Sequence, residues 1–167
     1  MTESEFFNLA KQGYNRIPVV LETFADLDTP LSIYLKLANH PYSYLLESVR
    51  GGDRFGRYSF IGLPASTRIE VRGDCINIIS EQGSEQVGAE DPLSFIQSYL
   101  LRFKVAPCSG LPRFCGGLVG YFAYETVRYI ERKLADHVSS DSLDLPDMLL
   151  LLSEELIVVD NLSGKLY

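Results

Sequence analysis

At 167 residues, with 46% apolar and 22% charged side chains, the chain is long enough to bury one hydrophobic core and too apolar to be disordered. A formal net charge of −7 leaves no basic stripe to neutralise phosphates, which argues against a nucleic-acid partner; Arg50, Arg54 and Arg57 cluster, but Glu47 and Asp53 interleave with them. The longest apolar run, Met148 to Leu152, is too short for a membrane span, and Cys75, Cys108 and Cys115 lack metal-ligand spacing, as reduced thiols of a cytoplasmic protein would.

The opening MTESEFFNLAKQG is acidic and amphipathic, with neither the basic nor the apolar region of a signal peptide, and reads as a short helix over residues 3–13 closed by Gly13. IPVVLETF, 17–24, is a β-rich segment. Thr29 as cap and Pro30 at the first helical position predict a helix over 30–39, ended by His40-Pro41. Two strands, 42–49 and 57–63, then flank a turn containing Gly51-Gly52. TRIEVRG and CINIISEQ alternate polar and apolar residues about Gly73-Asp74, the mark of a hairpin over 67–82.

EQGSEQVGAED reads as a polar loop, and Asp91-Pro92 opens a helix running to about Phe103. A Pro/Gly-punctuated connection, KVAPCSGLPRF, leads to the buried strand CGGLVGYFAYE, whose glycines are read as allowing close backbone packing. ETVRYIERKL follows as a helix with Val127, Ile130 and Leu134 on one face. ADHVSSDSLDLPD is a surface loop. Met148 to Asp160 holds one or two apolar strands, and KLY, after the turn NLSG, starts a returning hairpin strand that stops early, as in a fragment of a longer chain. The expected fold is α+β, with mainly antiparallel sheets and flanking helices in a single domain.

Catalytic chemistry is sparse. There is no phosphate-binding loop; CGGLVGY lacks the turn into a helix that would cradle an anion. His40 and His137 are far apart in sequence and have no paired nucleophile or metal-ligand pattern, and Glu154-Glu155 reads as a solvated strand start. Asp26 and Asp28 are turn and cap residues. The exception is residues 46–59. An amino-acid ligand needs a carboxylate for its ammonium and a cation or hydroxyl for its carboxylate, and Glu47, Ser48 and Arg57 supply those types within one hairpin. A cross-strand Glu47–Arg57 pair on a wet surface is the structural alternative.

LLES at 45–48, with GGDRFGRYSFIG at 51–62, resembles the N-terminal segment of the anthranilate synthase component I family. GYNRIPVV, DLDTPLSIYLKL, PRFCGGLVGYFAYETVR and DLPDMLLLLSEELIVVDNLSGKLY agree along the rest of the chain. Aminodeoxychorismate synthase component I, of the folate pathway, shares parts of the pattern and is the alternative, as a structural module. The resemblance implies a longer enzyme, a Mg²⁺-dependent lyase that converts chorismate and ammonia to anthranilate, with ammonia from a glutamine amidotransferase subunit. It implies that residues 1–167 are a single N-terminal regulatory domain, with the C-terminal chorismate-binding region absent, no catalytic residue, no cofactor of its own and no activity alone. It also implies a part in an L-tryptophan feedback site, carried by Ser48 and Glu47, with Arg57 as the basic residue and Leu46, Tyr58 and Ser59 as further candidates.

Overall fold

A computed structural model describes residues 1–47, 49–50, 54–134 and 143–167. The Gly51-Gly52 turn, His137 and much of the loop expected after Leu134 lie outside the described residues. Four α-helices occur among those described: α1 (Glu3–Lys11), α2 (Pro30–Leu37), α3 (Pro92–Leu101) and the single turn α4 (Val127–Ile130). The strands are β1 (Thr23–Phe24), β2 (Tyr44–Leu46), β3 (Val49–Arg50), β4 (Arg54–Phe55), β5 (Tyr58–Gly62) and β6 (Arg68–Arg72). They continue with β7 (Cys75–Ser80), β8 (Gly83–Gly88), β9 (Gly117–Phe122), β10 (Met148–Ser153), β11 (Leu156–Asp160) and β12 (Lys165–Leu166).

The helix starts follow from their caps. Thr2 Oγ1 accepts the Glu5 N–H at 3.3 Å while the Glu5 carboxylate accepts the Thr2 N–H at 2.7 Å, and Thr29 and Ser32 make the same reciprocal pair ahead of α2, where Pro30 presets the first turn.

The chain packs as two compact units. The first comprises residues 1–65, 102–117 and 153–167. Its sheet has the order β1-β12-β11-β5-β2, and all four pairings are antiparallel. Ile33 and Ala38 bury against Ile61 and Val159 in its core, and Tyr34, Leu45 and Ile157 pack around them. Tyr44 closes one edge: its hydroxyl meets Ser153 Oγ at 2.6 Å, and burial pushes its ionisation up.

The second unit comprises residues 66–101 and 118–152, with the sheet order β8-β7-β6-β10-β9. Ile69 and Val71 alternate inward on β6; Met148 and Leu150 lie opposite them on β10, and Ile76 lies opposite Val71 on β7. These residues form a buried apolar face by the period-two rule. The α+β, mainly antiparallel expectation therefore holds.

Three sequence expectations need correction. Of 17–24, only Thr23–Phe24 is a strand; Val19 and Leu21 are exposed, and β-branched residues make a strand only where a neighbour offers a ladder. The polar stretch read as a loop contains β8, which pairs along its whole length with β7, from Cys75↔Gly88 to Ser80↔Gly83. An edge strand needs backbone partners rather than apolar side chains, so its composition hid it. The helix expected over ETVRYIERKL breaks into a 3₁₀ turn (Tyr124–Thr126), α4 and a second 3₁₀ turn (Arg132–Leu134), with Ile130 exposed. Asp147 overrides the helical pattern: its carbonyl accepts from Thr126 Oγ1 at 3.2 Å and its carboxylate from Tyr129 Oη at 2.7 Å.

Candidate ligand site

The site is built where β11 ends and β5 begins. Asp160, the last residue of β11, is 2% exposed, and a buried carboxylate requires charged or hydrogen-bonding partners. Arg57, one residue before β5, donates through Nη2 at 3.0 Å and Nε at 3.3 Å, and the Leu162 N–H adds 3.1 Å. Hydrogen bonds from the Arg57 guanidinium hold the Asp160 carboxyl below its ordinary range against the opposing effect of burial. The pairing of Tyr58 with Asp160 fixes this register.

The next residue ties down the same stretch. Asn161 donates its side-chain amide to the Gly56 carbonyl and to Ser59 Oγ, both at 3.0 Å, and its N–H to the Arg57 carbonyl at 2.8 Å. Ser59 is 1% exposed and its hydroxyl donates to Glu47 Oε1 in a long contact of 3.4 Å. Arg57 also lies over the Tyr58 ring, 4.9 Å from its centroid.

An open cleft of about 690 Å³ is lined by Glu47, Gly56, Arg57, Asn161 and Leu162 together with Asp28, Thr29 and the start of α2; the Asp28 carboxylate is itself engaged by Lys36 and Ser32. Glu47 and Arg57, read from the sequence as ligand-binding types, both reach it. Ser59 is buried and linked to Glu47, Tyr58 supports Arg57, and Leu46 sits half-exposed on β2 opposite Phe60. Ser48 lies outside the described residues. The ion pair of Arg57 is with Asp160, not with Glu47 as the surface alternative had it.

Asp160 and Asn161 were missed. In the sequence they are the start of a turn after an apolar run, and their contacts to Arg57 and Gly56 span 103 and 105 positions. Among the described residues no group of three or more His, Cys, Asp or Glu side chains is placed to hold a metal ion, and no helix is long and apolar enough to cross a membrane.

Over its whole length the chain is 54% identical to anthranilate synthase component 1 of Pseudomonas putida, covering 34% of that protein. It is 55% identical over its whole length to anthranilate synthase component 1 of Neisseria meningitidis serogroup C, covering 35% of it. The chain belongs to the anthranilate synthase component I family. It spans about a third of the length of these relatives, matching their N-terminal part. The crystal structure of anthranilate synthase component I from Streptococcus pneumoniae TIGR4 shares the fold, with a TM-score of 0.55 at 21% identity over 89% of this chain and 31% of that one. No family model matches.

Proposed function

We propose that the chain serves as the regulatory portion of a component I-type anthranilate synthase, and that its cleft takes L-tryptophan as a feedback inhibitor. The observation that carries this reading is the meeting of Glu47 and Arg57 on one cleft of about 690 Å³. A zwitterionic amino acid presents an ammonium to the carboxylate and a carboxylate to the guanidinium, and such pairs are the strong class of hydrogen bond. Leu31, Pro30 and Leu162 add apolar surface for a flat ring. Ser48, next to Glu47, supplies a further hydroxyl in this reading.

The reaction assigned to the whole enzyme, on the strength of the relatives, is conversion of chorismate and ammonia to anthranilate. A glutamine amidotransferase subunit supplies the ammonia, Mg²⁺ is required, and the cytoplasm is the setting. Tryptophan acts by differential affinity for an inactive arrangement of the enzyme.

The test is a titration of the 167-residue chain, and of a longer enzyme containing it, with L-tryptophan and with L-phenylalanine as control. The chain contains no tryptophan, so indole fluorescence reports the ligand alone. Selective binding, with inhibition of the longer enzyme, supports the proposal; absence of both refutes it.

A further inference from the structure

We infer that Asp160 is a positioning residue for the cleft: it holds the Arg57 guanidinium where a ligand carboxylate is met, with Asn161 as its companion. The inference rests on the reading of the cleft as an amino-acid site. Arg57 is itself largely solvent-exposed, with 57% of its side chain accessible, whereas Asp160 is 3% accessible. A long exposed arginine ordinarily samples many rotamers and loses that freedom on binding. Here the immobile partner is the buried carboxylate, anchored at the end of a central strand between β5 and β12.

The geometry of the grip has a direct consequence. Asp160 engages Nε and Nη2, one edge of the planar fork, and so orients the whole guanidinium plane. Asn161 adds a second restraint by fixing Gly56 and Ser59 on either side of Arg57. Ser59 in turn touches Glu47, so one turn, Asp160-Asn161, governs both the cationic and the anionic wall of the cleft. Asp160 does not line the cleft, so its support lowers the ordering cost of binding without touching the ligand.

The experiment compares L-tryptophan with tryptamine, which lacks the carboxylate, on wild type, Asp160→Asn, Asp160→Glu and Asn161→Ala. Isothermal titration gives the affinities, and thermal unfolding monitors folding. The wild type is expected to prefer L-tryptophan. Asp160→Asn should weaken L-tryptophan about tenfold and leave tryptamine nearly unchanged, the size expected when a charge-assisted bond loses its orientation.

Asp160→Glu should restore part of the preference, whereas a merely structural lesion would weaken both ligands alike. Asn161 is exposed and its backbone N–H bond to Arg57 survives truncation, so Asn161→Ala, checked by the same thermal unfolding, carries the test if Asp160→Asn does not fold; it should also narrow the gap between the ligands. Equal loss for the two ligands, or an unchanged L-tryptophan affinity in folded variants, overturns the positioning role alone. Failure of the wild type to bind L-tryptophan overturns the site reading and this inference with it.

Discussion

Replacing Gly120 by alanine tests the closest approach in the second unit. An added Cβ would lie 1.8 Å from the Leu149 carbonyl oxygen, 2.8 Å from its carbonyl carbon and 2.9 Å from Leu150 Cα. Carbon–oxygen contacts normally settle at about 3.3–3.6 Å, so the neighbouring backbone would have to retreat by more than 1 Å. Strands in one sheet sit about 4.7–4.9 Å apart and cannot open by that amount without losing ladder bonds. Overpacking costs about 1–3 kcal/mol, and backbone on both sides places this case at the upper end. The Gly→Ala gain from a stiffer unfolded chain, about 0.4–1 kcal/mol, offsets only part, leaving a net loss of about 2 kcal/mol.

Gly88→Ala on β8 is the control, because nothing lies within 4 Å of its Cβ and only the unfolded-state gain remains. Urea unfolding, followed by far-UV circular dichroism and tyrosine fluorescence, would measure both variants against wild type. The two probes also reveal whether the units unfold together. If Gly120→Ala and Gly88→Ala have equal stabilities within about 0.5 kcal/mol, the close-approach reasoning fails.

Ser48→Phe in a longer enzyme containing this chain should relieve inhibition by tryptophan and spare catalysis, at a binding cost of about 1–3 kcal/mol for the ligand group left unpaired; unchanged inhibition would remove Ser48 from the site. Asp160, held below its ordinary range in the folded state, contributes stability that is fully present above its unfolded value of about 3.9 and is lost as pH falls through the folded value. The stability gap between wild type and Asp160→Asn should therefore shrink on acidification below about pH 4, and a pH series of thermal midpoints running parallel would contradict the linkage. Tyr44→Phe removes the 2.6 Å contact to the buried Ser153 hydroxyl and should cost about 1–2 kcal/mol in urea, with no change expected in ligand selectivity.

What the sequence disclosed was what is local. Thr29 and Pro30 announce α2 because cap and first helical residue are neighbours, and the hairpin of β6 and β7 shows through alternation and the turn at Gly73. Gly73 itself adopts φ 59°, a conformation that favours glycine. β8 escaped because an edge strand needs no apolar pattern. The helix expected at 125–134 failed because Val127, Ile130 and Leu134 mimic a helical face while Asp147, far along the chain, pulls Thr126 and Tyr129 into a different local path. At the cleft, the opposite charges of Glu47 and Arg57 were legible in their types. The partner that orients Arg57 was not, since nothing in DNLSG distinguishes a buried anchor from an ordinary turn.

β10 and β11 are separated only by Glu154 and Glu155, yet they belong to different sheets, and β11 is flanked by β5 on one side and β12 on the other. The roughly ninety residues between β5 and β11 take about 5–20 s to emerge from a ribosome. During that interval β5 has one long edge unsatisfied, and Arg57 has no Asp160 to grip. The lining of the cleft is thus complete only once β11 and Asn161 have emerged. A chain interrupted before β11 would carry Glu47 and Arg57 and still lack the Asp160–Asn161 side of the cleft, with an open strand edge that invites chaperones or aggregation in its place.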